Sequence, residues 1–187
     1  MKNVTVKELK KQCLELKKKV IHMIYVAQSG HPGGSLSAAD FVTAAYFSEM
    51  NIDPKNPRWV DRDRFVLSKG HVCPIQYAAL ATLGYFPESE LETLRKENSI
   101  LQGHPSMNKC PGIDISTGSL GQGLACGVGM GIMAKRDKKD YRVFVVVGDG
   151  ECQEGEIWEA AQTANKYHLD NLIVFVDNTT CSLTDYR

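Results

Sequence analysis

Apolar residues recur at intervals of three and four near the start of the chain, and this spacing predicts an amphipathic helix from about Val6 to Gln28. The glycines and proline of residues 29–34 end it, because neither residue type extends a helix cheaply. A second helix is predicted to begin at Ser37 and Asp40, whose spacing is that of a capping box. The apolar positions of the two helices are Leu9, Cys13, Leu16, Val20 and Ile24, then Phe41, Ala44, Ala45 and Phe47.

Three short apolar runs predict buried strands, at residues 64–67, 143–147 and 172–176. The last two are separated by a helical pattern at residues 156–167, which makes a βαβ unit. Fully apolar strands are typical of parallel sheets that are covered on both faces. We therefore expect an α/β fold, a doubly wound and mostly parallel sheet with helices on both faces, in one domain of residues 1–187.

Two further helices and a long loop are predicted between these strands. Residues 74–83 form a helical pattern, and residues 103–118 are loop-like because of their prolines and glycines. Residues 121–135 also form a helical pattern, although Gly127, Gly129 and Gly131 weaken it. Such a helix is favoured only if it must pack closely against another backbone.

Composition excludes several classes of partner and site. The 187 residues carry 22 basic and 22 acidic side chains, so there is no global positive field for nucleic acid or an anionic membrane. No apolar run approaches the ~20 residues of a membrane span, and no secretory leader is evident at the start. The six cysteines lack zinc-site spacing and are expected to be reduced thiols. These features favour a cytoplasmic protein.

Acidic and glycine residues follow the last two predicted strands, where ligands of open α/β sheets bind. Asp149 lies between two glycines at the end of one strand, and Asp177 and Asn178 end the next. If the strands are neighbours, their ends could hold a divalent cation such as Mg²⁺ against a phosphate group. Alone, Gly148-Asp149-Gly150 is also compatible with a plain turn.

Three of the five histidines follow a glycine in a predicted loop: His31, His71 and His104. A single loop histidine is commonly a solvated bystander, but three in the same local setting indicate chemistry. Imidazole can move protons or donate to phosphate oxygens near neutral pH. His22 and His168 are assigned to predicted helices and to structural roles.

Five ordered blocks together resemble the transketolase family, and the resemblance covers nearly the whole chain. They are Ser29-Gly30-His31-Pro32-Gly33, Leu67-Ser68-Lys69-Gly70-His71, Gly103-His104-Pro105, Thr117-Gly118-Ser119-Leu120-Gly121-Gln122-Gly123, and Gly148-Asp149-Gly150-Glu151-Cys152-Gln153-Glu154-Gly155 with Asp177-Asn178. The last block is similar to the thiamine diphosphate fingerprint of that family.

The resemblance implies thiamine diphosphate and Mg²⁺ as cofactors and a role for each matching residue. His31 and His104 would be catalytic, moving protons on the ketose hydroxyl groups, and Glu159 would reach a subunit contact. The implied cofactor-binding residues are His71, Gly118, Ser119, Leu120, Asp149, Gly150 and Glu154. The implied metal ligands are Asp149, Thr179 and the carbonyl group of Cys181.

The implied reaction is transfer of a two-carbon ketol unit from a ketose phosphate to an aldose phosphate. In the family, the diphosphate-binding domain continues through further strands, and a separate pyrimidine-binding domain carries the activating glutamate. We therefore expect a C-terminally truncated domain in one component of a split transketolase. Its expected partners are sugar phosphates and a C-terminal, pyrimidine-binding transketolase subunit, in a homo- or hetero-oligomer.

One position departs from the family pattern and leaves a second hypothesis open. Thr179 stands where the family usually has an asparagine ligand, so either its hydroxyl group or the neighbouring Asn178 would serve. A truncated or degenerate thiamine-diphosphate-binding module without turnover is therefore the alternative. A doubly wound domain that binds some other phosphate ligand is a third interpretation, but the chain has neither a P-loop nor an early dinucleotide-binding turn.

Overall fold

The structure, a computed structural model, describes residues 4–178. Helix α1 (Val6–Ala27) begins at a capping box, in which the Thr5 hydroxyl group accepts from the Glu8 amide and the Glu8 carboxylate accepts from the Thr5 amide. Gln28 ends α1 in a left-handed conformation. The helix buries three residues of the predicted stripe, Cys13, Leu16 and Val20, together with Met23. Leu9 and Ile24, which the stripe also includes, are only half-buried.

The second helix begins earlier than the capping pattern predicts. Helix α2 (Pro32–Ser37) has proline in its first turn, where a missing amide hydrogen costs nothing, and α3 (Ala39–Ala44) follows directly. Ser37 therefore ends a helix, and its hydroxyl group donates to Asp177 at 2.6 Å. A helix, α3, does begin between Ser37 and Asp40, but the predicted capping box is not formed, because the Ser37 hydroxyl group donates to Asp177 instead.

Three parallel strands form the sheet in the order β1 (Arg64–Leu67), β2 (Val143–Gly148) and β3 (Leu172–Asp177). Phe65 pairs with Phe144, and Gly148 at the end of β2 pairs with Asp177. All three carboxyl ends therefore lie at the same edge.

Helices cover both faces of the sheet, and side chains alternate between two cores. Phe65 and Val146 point into the larger core with α1, α3 and α4 (Cys73–Leu83). Val66 and Val145 point into the second core, with α5 (Gln122–Arg136) and α6 (Gly155–Lys166). This confirms the expected doubly wound α/β fold and its parallel sheet.

Strand β3 does not have the burial that its apolar sequence predicts. Val174, Phe175 and Val176 are 41%, 39% and 50% exposed. Strands β1 and β3 are both edge strands of the described sheet, but Phe65, Val66 and Leu67 of β1 are only 1% exposed. The exposure of β3 therefore reflects incomplete cover of its faces by the described residues and not its edge position alone. Phe175 covers part of one face by stacking on Phe41, with ring centroids 4.3 Å apart.

Helix α5 lies very close to the sheet, which explains two of its glycines. A Cβ on Gly123 would lie 2.6 Å from the Ser68 Cα, and one on Gly127 would lie 2.7 Å from Val145. The predicted close approach to another backbone is therefore found at Gly123, whereas Gly127 lies close to a side chain of the sheet. At Gly129, by contrast, nothing lies within 4 Å.

Some details complete the comparison with the predictions. Residues 103–118 contain no helix or strand, as predicted. His168 lies in the turn after α6 with a φ of +50°, so its assignment to a helix is wrong. The cysteines of the described region are free thiols. No helix within residues 4–178 has the length and apolar character to cross a membrane.

Candidate functional site

Asp149 lies at the carboxyl edge of the sheet, directly after β2. Its amide donates to the carbonyl group of Asp177 at 3.1 Å, so the ends of β2 and β3 are adjacent, as the sequence predicts. One Asp149 carboxylate oxygen accepts from the Gly150 amide at 3.0 Å and opens a short turn, Gly150–Gln153. Helix α6 begins just beyond, and its amino end favours an anion at this edge.

A buried ion pair lies beneath this edge. The Lys69 ammonium group donates to Asp177 at 2.5 Å, and the two side chains are only 4% and 6% exposed. The other Asp177 oxygen accepts from Ser37 at 2.6 Å. The side chain of Asp177 thus holds α2, the loop after β1 and the end of β3 together. We expected the tip of β3 to help grip a cation, but this carboxylate is committed to protein groups.

Glu151 makes a second buried connection. Its carboxylate accepts from the Ser68 hydroxyl group at 2.5 Å, the Gly121 amide at 2.8 Å and the Gly148 amide at 3.0 Å. These donors come from the end of β1, the start of α5 and the end of β2. Sequence reasoning missed both Glu151 and Lys69 as site-building residues. Both lie inside the quoted motifs, which is the one signal that could have found them.

The histidine loops meet at the same edge of the sheet. The rings of His31 and His71 lie edge to face with centroids 5.1 Å apart. Burial, followed by the nearby His31, Lys69 and His104, lowers the pKa of His71 to about 4. The imidazole of His71 is therefore neutral at pH 7.

His104 packs against Gly118. A Cβ on Gly118, which has a φ of +148°, would lie 2.9 Å from the His104 ring, so only glycine allows this contact. A Cβ on Gly70 would lie 2.8 Å from the Gly118 amide nitrogen, so the loop that carries His71 touches the same segment. Burial, then Arg95 and His31, lower the pKa of His104. The structure thus brings all three predicted histidines together.

The remaining predicted site residues lie near this edge or outside the described region. Ser119 and Leu120 are exposed in the segment that leads into α5. Glu154 is the N-cap residue of α6, without a capping side-chain hydrogen bond, and like Glu159 it is exposed. Thr179 and Cys181 lie outside the described residues. Within residues 4–178, no three His, Cys, Asp or Glu side chains are grouped to hold a metal ion.

Comparison with known proteins identifies relatives of this chain. The family profile of the transketolase thiamine diphosphate binding domain matches residues 10–185. One subunit of the apulose-4-phosphate transketolase of Phocaeicola vulgatus is 42% identical over 179 residues, which are 96% of this chain and 63% of that protein. The 6-deoxy-6-sulfo-D-fructose transketolase subunit SqwG of Clostridium sp. is 44% identical over 179 residues, 96% of this chain and 65% of that protein. The chain thus spans less than two thirds of each of these two proteins.

Solved structures agree with these relatives. Transketolase from Campylobacter jejuni superimposes with a TM-score of 0.90 at 34% identity, over 96% of this chain and 29% of that one. Transketolase from Leishmania mexicana gives a TM-score of 0.89 at 34% identity, over 93% of this chain and 28% of that one. Sequence profile, relatives and fold agree: this chain belongs to the transketolase family and matches its thiamine diphosphate binding domain.

Proposed function

We propose that this chain binds the diphosphate group of thiamine diphosphate together with Mg²⁺, as one component of a two-subunit transketolase. The complete enzyme would transfer a two-carbon ketol unit from a ketose phosphate to an aldose phosphate. The observation that carries the proposal is the convergence of three histidine loops and Asp149 at the carboxyl edge of one parallel sheet.

The residues present fit a bound diphosphate. Gly70 and Gly118 lack the side chains that would separate the histidine loops. The amino end of α6 adds a favourable field for an anion. Neutral imidazole groups and backbone amides are donors of the kind that phosphate oxygens accept. We therefore assign contacts with the cofactor to His71, Gly118, Ser119, Leu120, Gly150 and Glu154.

His71 is suited to hold the diphosphate rather than to transfer protons. Its low pKa keeps the ring neutral, and a neutral imidazole still donates one N–H group to an anionic oxygen. A group with a pKa near 4 is a weak proton acceptor at pH 7. The role of His71 in the proposal is therefore to orient the cofactor.

His31 and His104 are the proposed proton carriers. When bound, thiamine diphosphate supplies the electron sink that allows the carbon–carbon bond beside the ketose carbonyl group to break. The two imidazoles lie beside His71 and can accept or donate a proton at substrate hydroxyl groups. Because the pKa of His104 is lowered, this ring is neutral and able to accept a proton at pH 7.

Asp149 is the proposed magnesium ligand within the described residues. A carboxylate at a strand end, beside a phosphate, is typical of Mg²⁺ sites, which use one or two carboxylates and keep several other oxygens. The other proposed ligands are the hydroxyl group of Thr179 and the carbonyl group of Cys181. The Asp177 carboxylate takes no part, because it is bound to Lys69 and Ser37.

A second subunit completes the proposed enzyme. Two relatives are named as transketolase subunits, which supports a partner that carries the pyrimidine-binding half. Exposed Glu154 and Glu159 are the acidic residues that we assign to the contact region. The relatives' names contain a sugar phosphate and a sulfosugar, so an anionic sugar is the proposed substrate class.

The direct test is a transfer assay. The chain is co-expressed with a pyrimidine-binding transketolase subunit, taken first from the neighbouring reading frames, and supplied with thiamine diphosphate, Mg²⁺, a ketose phosphate and an aldose phosphate. We expect cofactor-dependent formation of a new ketose that is two carbons longer than the acceptor. His104→Ala should reduce the turnover number by ~100-fold or more, in line with the loss of a general acid–base group.

Binding without turnover would favour a different function. If cofactor stabilises the chain but no partner gives transfer, the chain is a binding module, the alternative that the Thr179 substitution suggests. Saturating cofactor at ~100 times its dissociation constant should raise the free energy of unfolding by about 2.7 kcal/mol in either case. No stabilisation and no transfer would refute the proposal.

A further inference from the structure

Arg95 lies in a left-handed conformation on a loop that reaches the histidine cluster. Its φ is +61°, which costs a residue with a side chain about 1 kcal/mol or more. The neighbouring Leu94 is buried, and the Arg95 amide donates to the carbonyl group of buried Leu101 at 2.9 Å. The backbone of Arg95 is therefore held in place by the core, while its side chain is exposed.

The guanidinium group touches two of the histidine loops. It donates to the Ser29 hydroxyl group at 2.8 Å, two residues before His31. A Cβ on Gly103 would lie 3.3 Å from the Arg95 Cζ and Nε atoms, so the guanidinium group lies close to the residue before His104. One side chain thus bridges the loops that present His31 and His104.

The bridge also has an electrostatic effect. The groups that lower the pKa of His104 besides burial are Arg95 and His31, and His104 in turn lowers the pKa of His71. The permanent positive charge of a guanidinium group disfavours a positive charge on a nearby imidazole and so lowers its pKa. Arg95, which no motif includes, thus adds to burial in favouring the neutral, proton-accepting form of the His104 ring.

We propose that Arg95 is a positioning residue that joins the Ser29–His31 and Gly103–His104 loops and holds His104 ready to accept a proton. The assignment of this proton to a sugar substrate rests on the function proposed above. The contacts of Arg95 with the two loops do not depend on that function. A purely structural role is disfavoured because the side chain is exposed and its hydrogen bond to Ser29 is at the surface. Such a bond adds little to folding stability.

The shape of the side chain matters as well as its charge. The planar guanidinium group donates to Ser29 while it lies close to Gly103, and its donors form a fixed fork. An ammonium group is a point charge on a flexible stem. Arg95→Lys should therefore retain part of the electrostatic effect and lose the bridge.

The test is a histidine titration by NMR on the chain alone, with labelled imidazole carbons and the His104 signal assigned by its loss in His104→Ala. In Arg95→Gln, the midpoint of the His104 imidazole titration should move to higher pH. In Arg95→Lys, the same midpoint should move by a smaller amount. The matched control is Lys96→Gln, which removes a positive charge from the next exposed residue and should leave the midpoint unchanged. In the assembled enzyme, the acid limb of kcat/KM should move in the same direction, with kcat reduced by about tenfold or more.

Each result decides the matter. A His104 midpoint in Arg95→Gln that equals the wild-type value would overturn the proposal, as would an equal movement in Lys96→Gln. If Arg95→Gln does not fold, Ser29→Ala removes the hydrogen-bond acceptor from an exposed loop and should raise the midpoint by itself; no change would again overturn it. The titration needs neither cofactor nor partner, so its failure is distinct from failure of the proposed function.

Discussion

The buried pair of Lys69 and Asp177 is the feature whose removal should weaken the fold most specifically. The two groups are 2.5 Å apart and 4% and 6% exposed. Lys69→Met keeps most of the apolar volume but leaves the Asp177 carboxylate buried with Ser37 as its remaining side-chain partner. Leaving one charge of a buried pair unpaired costs about 3–5 kcal/mol.

This cost should be visible in two measurements. Urea unfolding followed by circular dichroism should show the free energy of unfolding reduced by about 3–5 kcal/mol. For a chain of this size, each kcal/mol corresponds to about 2–4 °C, so the melting temperature should fall by roughly 6–20 °C. Cofactor binding should weaken too, because Asp177 is the residue whose carbonyl group accepts from Asp149.

The controls separate burial from charge. Lys135 and Asp170 form an ion pair of similar length, 2.7 Å, but are 37% and 85% exposed. Lys135→Met should therefore destabilise the protein far less than Lys69→Met. The double variant Lys69→Met/Asp177→Asn removes both charges and should be more stable than Lys69→Met alone. The reasoning fails if Lys69→Met costs no more than Lys135→Met, or if the double variant shows no coupling.

Three further predictions concern α5 and the histidines. Gly123→Ala should destabilise the protein by about 1–3 kcal/mol, because the added Cβ would meet Ser68. Gly129→Ala should be neutral or stabilising by up to ~1 kcal/mol, because nothing lies within 4 Å of that position. Equal changes in the free energy of chemical unfolding for the two variants would contradict this prediction. Because the pKa of His71 is lowered by folding, the unfolded chain binds a proton at this residue more readily than the folded chain does. The free energy of unfolding should therefore be highest above pH 6.5. It should fall by about 1–2 kcal/mol as the pH drops towards 4, after allowance for solvent screening. His71→Gln should make stability in thermal unfolding less dependent on pH between 6.5 and 4. An unchanged pH dependence in this variant would contradict the prediction. His71→Ala should weaken cofactor binding by calorimetry, while His104→Ala mainly lowers turnover; loss of turnover alone in both would invalidate the division of roles.

Sequence patterns predict the features that depend on local order. The run of residues 143–147 is long, apolar and β-branched, and such a run has few alternatives to a buried strand. The convergence of the three histidine loops follows from the family resemblance and is confirmed as geometry. Their assigned roles stay predictions.

The features that sequence reasoning misses depend on distant contacts. A local capping pattern allows Ser37 to start a helix, but Asp177, 140 residues away, determines its role. Lys69 stands out only as part of a motif, since no local signal shows that a lysine is buried. The exposure of β3 cannot be predicted from its residues, because an apolar strand does not show which of its faces is covered.

Calorimetric titration of thiamine diphosphate into the chain and the proposed pyrimidine-binding partner, with and without Mg²⁺, tests the cofactor site most directly. We expect saturable binding that requires Mg²⁺, is lost or much weaker in Asp149→Asn, and is unchanged in Asp137→Asn, an exposed control outside the site. Binding of equal affinity in wild type and Asp149→Asn, or binding that ignores Mg²⁺, would contradict the assignment of this edge of the sheet as the diphosphate and metal site.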